Sequence, residues 1–138
     1  MKIEVSFPGG VEVDAHFHGF TIHTDQPEKA GGRGSGPAPF DLFLASLATC
    51  GGYYAVRFCR ERDIETRGLG ITLEPIREPE TRRLVKIRLG MTLPEHFPAK
   101  YQKAIVRAVD QCTVKRCLLD PPEVETELLH ALSSSTLG

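Results

Sequence analysis

The chain has 138 residues, and its 17 Lys and Arg against 18 Asp and Glu give a net charge of -1. Neither sign dominates, so the charge balance does not indicate a nucleic-acid or membrane-surface binder. The longest apolar run, residues 42–48, is far shorter than the ~20 residues that cross a bilayer. The N-terminus alternates apolar and polar residues and lacks the apolar core of a signal peptide. We therefore expect a cytoplasmic protein with neither nucleic acid nor membrane as a partner.

Three short strands are predicted at the N-terminus, over residues 2–7, 11–17 and 20–24. Apolar and polar residues alternate in each, which is the period of a half-buried strand. Turn residues separate them, so the pattern indicates an antiparallel meander. The following segment, residues 25–39, is rich in glycine and proline and is predicted to be an irregular loop. A loop of this length is uncommon in a compact domain and is more often functional.

A long helix is predicted from Pro39 to about residue 63. Proline suits the first turn of a helix, and the first half has almost no polar face, which is typical of a buried helix. Gly51 and Gly52 lie inside it. Each weakens the helix by roughly 1 kcal/mol, and the pair permits close approach of another backbone.

The second half of the chain continues with two strands, residues 68–76 and 82–93, joined by a hairpin loop. An amphipathic helix over residues 99–112, a short helical turn over 113–120 and a last strand over 123–128 follow. Residues 133–138 are expected to fray. Strands and helices are segregated more than they alternate, which predicts an α+β fold with antiparallel sheet.

The chain contains four cysteines, Cys50, Cys59, Cys112 and Cys117. A reducing cytosol argues against structural disulfides, and neither spacing is the tight C-x2-C of a structural zinc site. Redox chemistry and plain burial both remain open. We expect Cys59 to be a bystander near the arginines that end the long helix, and Cys117 to pack in the core. No metal site is expected, since His16, His18 and His23 lack a further convergent ligand.

The stretch "GPAPFDLFLASLATC", residues 36–50, resembles the signature of the OsmC/Ohr superfamily. In that family a Gly-rich loop leads through a proline into a long helix with a cysteine about ten residues in. A second cysteine lies at the end of a later helix, here in "VDQCTVKRCLL". The element order fits the family along nearly the whole chain. The resemblance implies one OsmC-like domain over residues 1–138, with antiparallel sheets, a long central helix and an intertwined homodimer.

The same resemblance implies a chemistry for two of the cysteines. Cys50 corresponds to the peroxidatic thiol and Cys112 to the resolving thiol of enzymes that reduce organic hydroperoxides and serve in stress protection. A dithiol reductant regenerates them, without a cofactor. Such an enzyme needs a second thiol for a chemical reason. The second thiol condenses with the sulfenic acid to a disulfide, and this avoids irreversible over-oxidation.

The apolar helix around Cys50 opposes a reactive thiolate. Burial raises the pKa of a thiol, and a mid-helix cysteine lacks its own helix N-terminus to lower it, so we expect a nearby cation. In the family an Arg oriented by an acidic residue fills this role. No arginine here matches the family's position. The candidates are Arg33, the first arginine of this chain, and Asp41, with Arg57 or Arg116 as alternative cations.

Asp41 lies one residue later than the acid of the hydroperoxidase branch, whose position here is Phe40. The Pro-x-Asp start resembles instead the less characterised OsmC-like branch. A second function therefore stays open: a non-enzymatic dimer that binds a small hydrophobic ligand, with its cysteines merely packed. Tyr53 and Tyr54 are expected in the core or the dimer interface.

Overall fold

The computed structural model describes residues 1–130, and the expected fraying of residues 133–138 lies outside them. Helices and antiparallel strands segregate as predicted, which confirms the α+β class. The elements in chain order are β1 (Glu4–Ser6), β2 (Val13–Phe17), β3 (Phe20–Thr24), α1 (Pro39–Glu61), β4 (Gly70–Arg77), β5 (Leu84–Thr92), α2 (Gln102–Asp110) and α3 (Thr113–Leu119).

The first three strands form the predicted meander, with β2 between β1 and β3. His18 and Gly19 make the tight β2–β3 turn with φ of +50° and +79°, which glycine adopts without strain. The prediction that residues 2–7 are half-buried is wrong for the single chain. Ile3, Val5 and Phe7 are all exposed, because nothing in residues 1–130 covers their face of the sheet.

Helix α1 begins at Pro39, as predicted, and runs for 23 residues. The sequence-based view that no segment could cross a bilayer needs correction, because α1 is long and apolar enough by length and composition alone. Core helices of soluble proteins meet the same criterion. In this chain α1 packs against β4, α2 and α3. Its first half is less buried than predicted, since Leu47 is the buried residue between Pro39 and Cys50.

The core lies between α1 and α2. Its fully or nearly fully buried members are Ala55, Phe58, Cys59, Phe97, Ile105 and Val109. Gly51 provides the predicted close approach, because a Cβ there would lie 3.3 Å from Cγ1 of Val109 on α2. Gly52 is less constrained, since its Cβ would have Ile71 Cγ1 as nearest atom at 4.0 Å.

The second sheet is the predicted hairpin, β4 paired antiparallel with β5. The helix predicted over residues 99–112 begins as a 3-10 turn at Ala99–Tyr101 and continues as α2, which ends two residues before Cys112. The strand predicted over residues 123–128 is wrong for the single chain. That segment has no strand partner, and Val124 and Leu128 are exposed.

The two glycines of α1 should respond differently to alanine. Gly52→Ala should raise the free energy of unfolding by about 1 kcal/mol, because it removes the conformational freedom of a mid-helix glycine without a clash. Gly51→Ala should gain less, because its methyl group must displace Val109. Urea unfolding of both variants measures the difference. Equal stabilisation would contradict the close approach of α2 at Gly51.

Candidate active site

The structure brings Cys50 and Cys112 together. Cys50 lies half-buried in the middle of α1, and Cys112 is fully buried as the N-cap residue of α3. The chain turns sharply there, since the Cys112 N–H donates to the Val109 carbonyl at 3.1 Å while its own carbonyl accepts from the Arg116 N–H at 2.9 Å. This corner places Cys112 close enough to Cys50 for each thiol to shift the pKa of the other through a side-chain hydrogen bond. Neither thiol is in a disulfide.

The surroundings of Cys50 favour its thiolate. Burial is the largest single influence and raises the pKa of the thiol, but three donors together outweigh it. These are the Cys112 thiol and the backbone N–H groups of Val114 and Thr113, and their net effect holds the Cys50 pKa below its ordinary value. Hydrogen bonds to the charged form of a group favour that form. The nearby cation stays a prediction, since within the described residues the lowering comes from the Cys112 thiol and from two backbone N–H groups of a second helix.

Cys112 has the opposite tendency. Burial raises the pKa of its thiol, and the hydrogen bond to Cys50 raises it further, against the smaller lowering by the backbone N–H groups of Lys115 and Val114. Within the pair, Cys50 is therefore the thiol that ionises first, while Cys112 holds its proton more tightly. This division matches a nucleophile and a donor that stabilises it.

The other two cysteines differ from the pair and from each other. Cys59 is fully buried in the core, and burial raises the pKa of its thiol despite the nearby Arg62. The prediction that Cys117 packs in the core is wrong, because its side chain is exposed on α3.

Arg33 does not serve the thiol within this chain. Its guanidinium pairs with the nearly buried carboxylate of Glu12, and this contact raises the pKa of the guanidinium and lowers that of Glu12. Asp41 occupies the first turn of α1, where its carboxylate is exposed. Arg57, one alternative cation, bonds Glu61 through Nε at 2.8 Å.

Arg33 belongs to a polar cluster that holds the long loop before α1. Asp25 is only 1% exposed, and its carboxylate accepts from the backbone N–H groups of Gln26 at 2.8 Å, Ser35 at 3.0 Å and Arg33 at 3.1 Å. These bonds, of which the Ser35 N–H is the strongest, hold the pKa of the carboxyl well below its usual range. A carboxylate that accepts several backbone N–H groups fixes the loop around it, so this cluster accounts for the ordered path into Pro39.

Three members of the cluster are arranged like a catalytic triad. Nδ1 of His23 lies 2.5 Å from Asp14 Oδ1, and Nε2 lies 2.9 Å from Ser35 Oγ. The electrostatics do not suit a nucleophilic serine. Ser35 Oγ also lies 2.9 Å from Asp25 and 3.1 Å from Glu12. The Ser35 hydroxyl therefore donates its hydrogen bond to these carboxylates. Asp14 raises the pKa of His23, which favours an imidazolium that cannot act as a base.

Sequence reasoning missed the groups that set the Cys50 pKa. Thr113 and Val114 act through their backbone N–H groups, which carry no residue-type signal. The available signal was the break in helical pattern after Gln111, which places Cys112 at the start of a new helix rather than at the end of the old one.

Comparison with known proteins identifies the family of this chain. A model of the OsmC-like protein family matches residues 32–127. The chain belongs to this family. Among the curated proteins, no sequence matches this chain.

Solved structures of OsmC-like proteins share the fold. An osmotic stress induced and detoxification response protein of Psychrobacter arcticus superposes with a TM-score of 0.71 at 24% identity, over 84% of this chain and 86% of that one. An OsmC like protein of Mycoplasma pneumoniae gives 0.62 at 17%, over 88% and 89%. An organic hydroperoxide resistance protein of Legionella pneumophila gives 0.52 at 17%, over 86% and 89%.

The pKa difference between the cysteines predicts their alkylation. Cys50 should react with iodoacetamide at a lower pH than a model cysteine peptide with a pKa near 8.5, and Cys59 and Cys112 should react slowly. Trypsin cleavage at Arg33 and Arg57 releases residues 34–57, in which Cys50 is the only cysteine, so mass spectrometry follows it alone. A Cys50 profile at or above that of the peptide would contradict the site and favour packed cysteines.

Proposed function

We propose that this OsmC-like protein is a thiol-dependent peroxidase that reduces organic hydroperoxides, with Cys50 as the peroxidatic and Cys112 as the resolving thiol. The observation that carries the proposal is the proximity of the two thiols, each of which shifts the pKa of the other, in surroundings that lower the Cys50 pKa. The name of the Legionella pneumophila relative, an organic hydroperoxide resistance protein, supports the choice of substrate class.

In the first step, the Cys50 thiolate attacks the terminal oxygen of the hydroperoxide. An S–O bond forms, the O–O bond breaks, and the alkoxide leaves as the alcohol after it takes up a proton. Cys50 is oxidised to a sulfenic acid and the peroxide is reduced. Cys112 stays a thiol during this step, because its proton is engaged in the bond to Cys50.

The first step removes two influences that raise the pKa of Cys112, and the second step depends on this change. The charge and hydrogen bond of Cys50 are among the influences that raise the Cys112 pKa, and both are lost when Cys50 becomes a neutral sulfenic acid. The N–H groups of Lys115 and Val114 continue to favour the Cys112 thiolate. Cys112 then loses its proton and attacks the Cys50 sulfur, so that an S–S bond forms and hydroxide leaves as water. A dithiol reductant returns both cysteines to thiols by exchange.

An apolar substrate fits the surroundings of α1. An open cavity of about 760 Å³ lies beside β5, and its walls include Leu47, Leu89 and Leu118. Leu47 precedes Cys50 by nearly one helical turn, so this cavity is a place for the organic part of a hydroperoxide. The apolar part of the wall favours such substrates over hydrogen peroxide, because a small polar molecule gains nothing from it. Charged side chains, Lys86, Arg88, Asp110 and Lys115, line the rest of the cavity.

The proposal predicts a single disulfide. One equivalent of cumene hydroperoxide added to reduced protein should link Cys50 to Cys112, seen by mass spectrometry as peptides 34–57 and 108–115 joined, each with one cysteine. Cys50→Ser should abolish peroxide consumption. Cys112→Ser should leave Cys50 as a sulfenic acid, and Cys117→Ser is the matched control that should change nothing. Peroxide consumption by Cys50→Ser at the wild-type rate would overturn the proposal.

We also propose that the protein acts as a homodimer. Large apolar side chains are exposed on and next to β1 and on the outer face of α1, among them Val5, Phe7, Tyr53 and Val56, and exposed apolar surface of this kind marks interfaces. Sedimentation equilibrium should give twice the 15.2 kDa of one chain. Val56→Arg should shift the mass toward one chain, because it places a charge in the apolar patch. A monomer at every concentration would refute this assembly.

A further inference from the structure

The Tyr54 hydroxyl links the two helices that meet at Cys50. Tyr54 follows Cys50 by four residues on α1, and residues at this spacing lie on the same face of a helix. Its Oη lies 3.1 Å from Oγ1 of Thr113. Thr113 is the first residue of α3, and its backbone N–H is one of the groups that hydrogen-bond the Cys50 sulfur. One side-chain bond therefore connects the helix that carries the thiol to the helix end that faces it.

Helix α3 has few other attachments that could hold this position. It is seven residues long and none of its residues is buried, so apolar packing contributes little to its placement. Lys115 Nζ lies 2.5 Å from Asp110 Oδ1, but this ion pair ties α3 to α2 rather than to α1. In residues 1–130, the bond between Tyr54 and Thr113 is the side-chain hydrogen bond from α1 to α3 besides the interactions of Cys50 itself.

We propose that Tyr54 is a positioning residue for Cys50, whose hydroxyl holds the N-terminus of α3 against the sulfur. The inference rests on the proposed role of Cys50, but it concerns the thiol and not the turnover of a peroxide. Hydrogen bonds weaken steeply as their distance and angle depart from the optimum. Without the Tyr54 bond, the N–H groups of Thr113 and Val114 are free to drift from the sulfur, and the thiolate loses its donors.

Tyr53 offers a matched control. It is adjacent in sequence, its ring packs edge-on against Tyr54 with centroids 5.4 Å apart, and its side chain is 60% exposed. Its hydroxyl makes none of the side-chain hydrogen bonds found in residues 1–130. Tyr54→Phe and Tyr53→Phe each remove a single hydroxyl group and keep the ring, so they separate the bond to Thr113 from aromatic packing.

The test is the pH profile of Cys50 alkylation, read on peptide 34–57. The facing titratable group is the Cys112 thiol, so the profile must be read on the Cys50 peptide and not on total thiol. In Tyr54→Phe the rate well below the midpoint should fall about fivefold, as expected for the loss of one hydrogen bond. The plateau rate at high pH should stay near that of wild type, because the thiolate itself is unchanged. Tyr53→Phe should follow the wild-type curve.

Variants of Thr113 test the bond from the other side. Thr113→Val should reproduce the shift of Tyr54→Phe, whereas Thr113→Ser should retain the wild-type profile because it keeps a hydroxyl. The double variant Tyr54→Phe with Thr113→Val should shift no further than either alone, since both remove the same interaction. Circular dichroism checks that each variant is folded.

Two results would overturn the inference. One is a Tyr54→Phe profile that coincides with wild type in a folded protein, and the other is an equal shift in Tyr53→Phe. The outcome is separate from that of the proposed function. If a hydroperoxide leaves Cys50 reduced while Tyr54→Phe still shifts the profile, the peroxidase proposal fails and the positioning role stands.

Discussion

The contact of the Cys50 sulfur with the first N–H groups of α3 is the interaction on which the candidate site depends. A thiol in the middle of an apolar helix is a poor nucleophile, because burial favours its protonated form. The structure offsets burial with the Cys112 thiol and the Thr113 and Val114 N–H groups. Backbone donors are fixed dipoles, and they stabilise negative charge without an extra cation. The turn between α2 and α3 therefore determines whether Cys50 on α1 is an inert, packed thiol or a reactive one.

This arrangement leaves Arg33 available for a different task. Its guanidinium and backbone N–H bind Glu12 and Asp25, which order the glycine-rich loop. The Asp25 N–H also donates to the Pro37 carbonyl at 3.2 Å, so the end of β3 is joined to the chain two residues before α1. The cluster therefore fixes where α1 begins, and with it where Cys50 lies along the helix.

Local pattern predicted the parts of this fold that local sequence determines. Pro39 marked the start of α1, the Gly51 close approach followed from a glycine in an apolar helix, and the alternation in β4 and β5 indicated their hairpin. The resemblance, not the spacing, paired Cys50 with Cys112. The pattern could not show which way the chain turns at Gln111, because that turn depends on tertiary packing. Nor could it show that residues 123–128 lack a partner strand, since alternation indicates what a segment can pair with and not whether an edge is within reach.

Within this chain, the Cys112 thiol and the first N–H groups of α3 lower the Cys50 pKa, and this chemistry is separate from how a substrate reaches the sulfur. A thiolate held by Cys112 and α3 can form in a single chain. The exposed apolar residues of α1, Tyr53 and Val56, lie three and six residues beyond Cys50 on the same helix. A second copy of the chain on this face of α1 would change the route by which a hydroperoxide reaches the sulfur. It would also change how much water surrounds the sulfur. In the proposed mechanism, assembly would therefore alter substrate preference more than the order in which the two thiols react, which follows from the opposite pKa shifts of Cys50 and Cys112.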